Sequence, residues 1–232
     1  ATTFDGQIYG AIDVDAREES SYTILYRANG WLTFHMEWAT SLAGQQRYYL
    51  LDGSVKAPLP PYVQVETEPE DGATYSAQLV RYYQDGDVSK AGLSESSFKI
   101  YRWDEGAWTA YGTLRLDTSN NYATLETSEL SGTFAPFATD VKPPSISLDS
   151  PQKSGSQLTV TATVSDNVGI SGVYLLYAAA KEGPYSNATM AEAQGKYTQT
   201  ITVGNKVYYR VVAVDVAGNT AERISEYPSG FK

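Results

Sequence analysis

The single histidine is the first residue to consider as a catalytic group. His35 lies in the run Trp31–Trp38, where strand alternation places it on the same face as Glu37. A histidine base also needs a nucleophile to activate, and the chain has neither a cysteine nor a Gly-x-Ser-x-Gly elbow. One histidine without cysteine also excludes the usual zinc ligand sets. We therefore predict a surface or interface histidine, no catalytic residues and no enzymatic activity.

Closely spaced acids are the second group that could do chemistry, because glycoside hydrolysis needs two carboxylates facing one groove. Three sets have the i, i+2 spacing that puts carboxylates on one side of an extended chain: Asp13/Asp15, Glu66/Glu68/Glu70 and Asp85/Asp87. Nothing in the sequence indicates a cleft between them. We interpret these acids as solvated faces and turns.

Acidic turns could also bind calcium, which takes several oxygen ligands. The candidate sources are Asp166-Asn167, Asp215 with Asn219, and Asp13/Asp15, but none matches the calcium loop of an EF-hand. Short Asp and Asn side chains in turns bond their own backbone. Turn formation is therefore the first interpretation, with calcium as the alternative, and no cofactor is predicted.

Aromatic pairs could form a stacking platform for sugars. The pairs are Tyr48/Tyr49, Tyr82/Tyr83, Trp103/Trp108 and Tyr208/Tyr209. Adjacent residues of a strand face opposite ways, so each adjacent pair puts one ring outside. Core packing explains the inward rings, and polysaccharide stays open as a partner of the outward ones.

Composition excludes several partners. The 232 residues carry a net charge of −10, which argues against nucleic acid, whose phosphates need a basic patch. No run of 18 apolar residues occurs, so we predict no membrane span. Charge is also uneven, with 20 acidic and 9 basic residues up to Asp140 but 7 and 8 after it. This asymmetry indicates two separate units.

The elements that must position these residues are strands. Asp140-Val141-Lys142-Pro143-Pro144 marks a border, since two prolines cannot continue a central strand. We predict an all-β chain of two tandem β-sandwich domains, 1–140 and 141–232. The second shows about seven short strands, including the alternating run 158–164, which is the pattern of an immunoglobulin-like sandwich.

In the first half, hairpin signals are the clearest feature. Asn29-Gly30 separates the apolar runs 22–26 and 31–38, and this dipeptide predicts a tight hairpin. Asp104-Glu105-Gly106 and Asp117–Asn121 predict two more hairpins. Pro58–Pro61 predicts a loop. The strand order of residues 1–70 stays open.

Two segments resemble known modules. Val164–Ile170 with Tyr209–Asn219 resembles the Ig-like or fibronectin-III-like repeats of bacterial and archaeal surface proteins. Leu93–Trp108, Leu116–Leu125 and Ser131–Ala138 are similar to small β-modules of the same secreted proteins, with Ala135 in place of the usual Ser. The resemblance implies an extracellular, cell-surface location.

The predicted function follows from these observations. We expect a structural or adhesive surface protein, such as a filament, sheath or S-layer-type subunit, that associates with itself or with neighbouring surface proteins. Its N-terminal segment could add a strand to a neighbour, through the apolar residues Ile8, Ala11, Ile12 and Val14. An ordinary first strand that pairs within its own domain is the other interpretation.

Two further expectations concern surface chemistry. Asn187-Ala188-Thr189 is the one Asn-x-Ser/Thr sequon, so Asn187 is the predicted glycosylation site. The alternative function is a carbohydrate-binding accessory module of a secreted hydrolase.

Overall fold

The computed structural model is built almost entirely from antiparallel strands, which confirms the all-β prediction. Chain contacts divide it into two compact units, residues 1–140 and 141–232. The one helix among the described residues is the short α1 (Asp87–Lys90), followed by a 3-10 turn at Glu95–Ser97. Among the described residues, no helix has the length and apolar character to cross a membrane. The structure describes residues 4–8, 22–29, 32–39, 41–42, 44–69, 71, 74–84 and 86–228.

In the described part of the first unit, twelve strands form two sheets. They are β1 Phe4–Ile8, β2 Tyr22–Asn29, β3 Leu32–Ala39, β4 Tyr49–Leu51, β5 Ser54–Pro58, β6 Tyr62–Pro69, β7 Thr74–Tyr82, β8 Lys99–Asp104, β9 Ala107–Ala110, β10 Thr113–Asp117, β11 Tyr122–Thr127 and β12 Gly132–Thr139. One sheet has the order β1-β3-β6-β12-β5-β4, with β8 added to β12 and β9 to β8. The other has the order β10-β11-β7-β2.

The hairpin predicted at Asn29-Gly30 is wrong. β2 pairs along its whole length with β7, from Tyr22 opposite Arg81 to Asn29 opposite Thr74, while β3 pairs with β1 and β6. Consecutive strands therefore belong to different sheets. The hairpins around Glu105-Gly106 and after Asp117 are present as β8–β9 and β10–β11. Their cross-strand pairs are local, so turn chemistry alone could select them.

The strand β12 is buried on both faces. Phe134 and Phe137 point to opposite sides, and both are fully buried. On the Phe137 side, an aromatic cluster covers the strand, with Tyr49, Tyr101 and Trp108 at edge-to-face centroid distances of 5.5, 5.5 and 5.0 Å. Aromatic rings prefer this geometry. The cluster anchors the β8–β9 hairpin to the larger sheet.

A buried arginine connects the smaller sheet to the proline loop. Arg81 is 0% exposed, and its guanidinium donates to the carbonyl oxygens of Pro60 and Tyr82. It also lies 5.2 Å from the ring centre of Tyr22, whose hydroxyl donates to Pro61 O. Burial lowers the pKa of Arg81 and raises that of Tyr22. A buried charge is stable only with such partners.

Within residues 141–228 of the second unit, nine strands form two sheets. They are β13 Ser145–Leu148, β14 Gln152–Ser154, β15 Gln157–Ser165, β16 Ile170–Ala178, β17 Ser186–Thr189, β18 Ala191–Ala193, β19 Lys196–Thr202, β20 Val207–Asp215 and β21 Thr220–Tyr227. One sheet has the order β13-β15-β19-β18, with β14 beside β15, and the other the order β17-β16-β20-β21. All pairs are antiparallel.

Strict alternation builds the core of this unit. Along β15, Leu158, Val160, Ala162 and Val164 are buried, and the intervening threonines face out. The outward threonines meet those of β19, with Thr159 Oγ1 2.9 Å from Thr200 Oγ1. Leu175 and Val211 are fully buried in the facing sheet. Hydroxyl pairs across a sheet add modest stability to the hydrophobic term.

Candidate functional site

A groove lies on the outer face of the sheet β10-β11-β7-β2. It has a volume of about 600 Å³, within the usual range for ligand sites. Register and alternation place its side chains in two cross-strand rows. One row is Asp117, Tyr122 and Tyr82, and the next is Arg115, Thr124 and Val80. The opposite face of the same strands carries the buried residues Leu79, Arg81, Ala123 and Leu125.

Two tyrosines form one end of the groove. Tyr82 and Tyr122 are directly opposite in the β7–β11 ladder, with ring centroids 5.9 Å apart at an interplanar angle of 60°. Tyr82 is 40% exposed, whereas Tyr83, the next residue, is buried against Phe98. The sequence predicted that one ring of this pair faces outward, and the structure shows that this ring is Tyr82. It did not identify Tyr122, because the ladder that joins them spans about 40 residues of chain.

The β10–β11 turn holds the acid of the groove in place. Oδ1 of Asp117 accepts hydrogen bonds from Ser119 N and Asn120 N, each at 3.0 Å, and Oδ2 accepts from Asn120 Nδ2 at 2.9 Å. The bond from the Asn120 amide is the main reason why the pKa of Asp117 lies below its usual value. A hydrogen bond to the same carboxylate raises the pKa of Tyr122. The turn thus fixes a charged acceptor beside the two rings.

Arg115 supplies the opposite charge. Its side chain is exposed and lines the groove beside Thr124, two residues before Asp117 on the same strand. Within the described part of the chain, its guanidinium makes no ion pair or hydrogen bond. Gln78 on β7 adds a half-buried amide. The groove therefore combines donors, acceptors and ring faces on one rigid sheet.

The other aromatic pairs lie elsewhere. Trp103 and Trp108 face each other across the β8–β9 hairpin with centroids 5.2 Å apart, and Trp103 is 41% exposed. Tyr48 is 36% exposed. In the second unit, Tyr209 is buried, whereas Tyr208 is half-buried under Lys206 Nζ at 4.6 Å.

His35 and Glu37 share a solvated sheet face, as alternation predicts. Nε2 of His35 lies 3.3 Å from a carboxylate oxygen of Glu37, and their side chains are 33% and 54% exposed. Glu66 lies opposite His35 in β6. Water screens such exposed pairs, so they contribute little to stability.

The described members of the other acid sets do not come together at one site. Glu66 and Glu68 are exposed on β6, and Asp87 begins α1. Asp13, Asp15, Glu70 and Asp85 lie outside the described residues.

Turn bonds engage three of the four carboxylate oxygens of Asp166 and Asp215. Oδ1 of Asp166 accepts from Val168 N and Gly169 N, at 2.9 and 3.0 Å. Asp215 is buried, and its two oxygens accept from Asn219 N and Asn219 Nδ2, at 2.8 and 2.9 Å. These are the bonds that the turn interpretation predicts.

The same two carboxylates are the residues that could hold a cation. Oxygens of Asp166 and Asp215 lie within 4.8 Å of each other, and Oδ2 of Asp166 is buried without a hydrogen bond in the described structure. Calcium takes six to eight oxygens. The pair would supply only part of such a ligand set, and three of its four carboxylate oxygens already accept hydrogen bonds within turns.

The predicted surface and assembly residues have mixed positions. Asn187 is exposed on β17, at the edge of its sheet and paired with Leu176 of β16, rather than in a loop. Ile8 is the last residue of β1, opposite Leu32 of the same chain. Ala11, Ile12 and Val14 lie outside the described residues.

Comparison with known proteins gives no relative: no protein family matches the chain, and no curated protein shows significant similarity to it.

Proposed function

We propose that the chain is a structural or adhesive protein of an extracellular surface, which associates with copies of itself by strand addition. The observation that carries this proposal is the position of β1. It lies at the edge of the larger sheet, is five residues long, and has β3 as its one ladder partner among the described strands. Its main-chain bonds are the same whether β1 comes from this chain or from a second copy.

The strand order of the second unit supports a surface role. Assigned in chain order, β13, β15, β19 and β18 correspond to strands A, B, E and D of an immunoglobulin-like sandwich. The other sheet, β17-β16-β20-β21, corresponds to C′, C, F and G. Such modules serve as spacers and as adhesive or filament parts, and the exposed Asn187 would accept a glycan in a glycosylating secretory route.

A cysteine cross-link distinguishes strand addition between two copies from pairing of β1 within its own chain. Asp5 lies opposite His35 in the β1–β3 ladder, and the protein has no cysteine to interfere. Opposed residues of an antiparallel pair have Cβ atoms about 5 Å apart, within reach of a disulfide or a short bis-maleimide. In the double variant Asp5→Cys/His35→Cys, we expect covalent dimers and larger species on a denaturing, non-reducing gel.

A second ladder of the same sheet supplies the control. Glu37 and Gln64 are opposed in the β3–β6 pair, and both are exposed. The variant Glu37→Cys/Gln64→Cys should give an internal cross-link alone. If the Asp5/His35 variant also gives monomers alone at every protein concentration, β1 pairs within its own chain and strand addition through β1 is wrong.

Sedimentation velocity gives an independent measurement on the native protein. The proposal predicts species larger than 25.3 kDa, which disappear when residues 1–14 are deleted while the far-ultraviolet circular dichroism of a β protein is retained. A deletion variant that unfolds would instead assign residues 1–14 to the core of their own unit.

A further inference from the structure

We propose that the groove on the β10-β11-β7-β2 sheet binds a neutral oligosaccharide, with one sugar ring stacked on Tyr82. This site is separate from the assembly role proposed for β1, and either can be correct without the other. The shape of the groove, its hydrogen-bonding groups and its charge each favour such a ligand.

The exposed ring of Tyr82 supplies a stacking surface in the groove. Tyr82 is 40% exposed, while Val80 beside it on the same face is 3% exposed. Tyr122 packs against Tyr82 at 60°, so it holds that ring in place. A pyranose ring presents a face of C–H groups that stacks on an aromatic plane. A rigid aromatic ring with a polar tip binds such a face with little loss of side-chain entropy.

Polar groups of the groove lining match the hydroxyl groups of a sugar. The hydroxyl groups of a sugar both donate and accept, so a site must offer both functions. Arg115 has five N–H donors, and Gln78 has both functions on one amide. The exposed hydroxyl groups of Thr118 and Ser119 also line the groove and can donate and accept, while Asp117, whose oxygens accept the turn bonds, adds a negative charge. Arg115 and Asp117 are two residues apart on one strand, about 7 Å, roughly the width of one sugar ring with its hydroxyls.

Charge selects a neutral ligand. Arg115 and Asp117 are the charged residues of the lining, and their charges cancel. The unit around them carries 20 acidic and 9 basic residues, so its field repels polyanions. A glycan rich in carboxylate or sulfate groups is thus disfavoured, and binding should depend little on ionic strength.

Affinity electrophoresis of the full chain tests the site. Native gels would contain β-glucan, xylan, galactomannan or starch as neutral polymers, and alginate or polygalacturonate as acidic ones. We expect retarded migration in at least one neutral polymer, at low and at physiological salt. Tyr82→Ala should weaken the association constant at least about tenfold, which corresponds to 1.4 kcal/mol, and Arg115→Gln should weaken it in the same polymer.

Tyr48→Ala is the matched control, because Tyr48 is a similarly exposed tyrosine of the same unit that does not line the groove. It should migrate like the unaltered protein, and the tryptophan emission of each variant checks its fold. Three results would overturn the proposal: no retardation in any neutral polymer, retardation restricted to acidic polymers, or equal losses in Tyr82→Ala and Tyr48→Ala.

Discussion

The two units build their buried cores from different kinds of side chains. In the second, strict alternation sends aliphatic residues such as Leu158 and Val160 inward and threonines outward, and the core is almost purely apolar. In the first, β12 is buried on both faces, aromatic rings pack beside aliphatic side chains, and a charged guanidinium is fully buried. Regular alternation thus gives the second unit an aliphatic core, whereas the first unit combines aromatic packing, a buried charge and a groove on one sheet face.

The largest effect should come from the buried arginine. Arg81→Met removes the donor to Pro60 O and Tyr82 O, which leaves two carbonyl groups without this partner. An unsatisfied buried acceptor costs about 1–3 kcal/mol, so we expect a loss of about 3 kcal/mol in the unfolding free energy. All four tryptophans lie in residues 1–140, so urea unfolding followed by tryptophan emission reports on this unit.

The second unit provides the control for that measurement. Val211→Ala removes two methyl groups from its aliphatic core, so it should lower the unfolding free energy of the second unit. Circular dichroism would follow this unfolding. If Arg81→Met costs less than about 1 kcal/mol, the guanidinium is replaceable by apolar packing and the contrast between the units is weaker than we infer.

An intermediate effect should come from the turn acid of the second unit. Asp215→Ala removes the acceptor of both Asn219 bonds, and we expect a loss of about 1–3 kcal/mol. Hydrogen exchange of peptides spanning 207–220 would locate this loss. Asp149→Ala, which breaks an exposed 2.7 Å pair with Lys196, should cost less than about 1 kcal/mol. Similar losses for the two variants would contradict the turn role of Asp215.

The Asp215→Ala variant also distinguishes a turn role of Asp215 from a cation site. If Asp215 acts through its turn alone, adding millimolar calcium should leave the melting temperature of the unaltered protein unchanged. A rise in melting temperature that is absent from Asp166→Asn and Asp215→Ala would instead make the carboxylate pair a calcium site.

The smallest effect should be a pH dependence in the first unit. Asp52 Oδ2 accepts from the Tyr101 hydroxyl at 2.6 Å and from Lys99 Nζ at 3.3 Å. The Tyr101 bond is the main cause of the lowered pKa of Asp52 in the folded chain. A carboxyl group whose pKa is lower in the folded chain than in the unfolded chain stabilises the fold at pH values above its unfolded pKa. This stabilisation is lost as the pH falls through the folded pKa.

Urea unfolding at pH 7 and pH 3 tests this effect. The unaltered protein should lose more stability between these values than Asp52→Asn does, by a small amount because the site is largely exposed. Parallel losses in the two proteins would show that the Tyr101 bond does not contribute to acid unfolding.

Hairpins show how far sequence reasoning reaches. Glu105 and Gly106 both have positive φ, as a tight hairpin requires, and Asp117 organises the other predicted turn, so these two predictions hold. The Asn29-Gly30 signal is as strong locally, yet β2 pairs with β7, whose opposed residues are about 45 to 59 positions away. Burial against two different sheets decided between the local and the distant partner.

Local patterns in the sequence determined the all-β class, the alternating core of residues 158–164, the turn role of Asp166 and Asp215, and the outward position of one ring in the Tyr82/Tyr83 pair, because each depends on neighbours a few residues away. The tertiary structure alone decided that Tyr122 stands opposite Tyr82, that Arg81 is buried beside Tyr22, and that β1 lies at a sheet edge. These outcomes depend on register between distant strands. Period-two alternation leaves several such registers open until both faces of each sheet are packed.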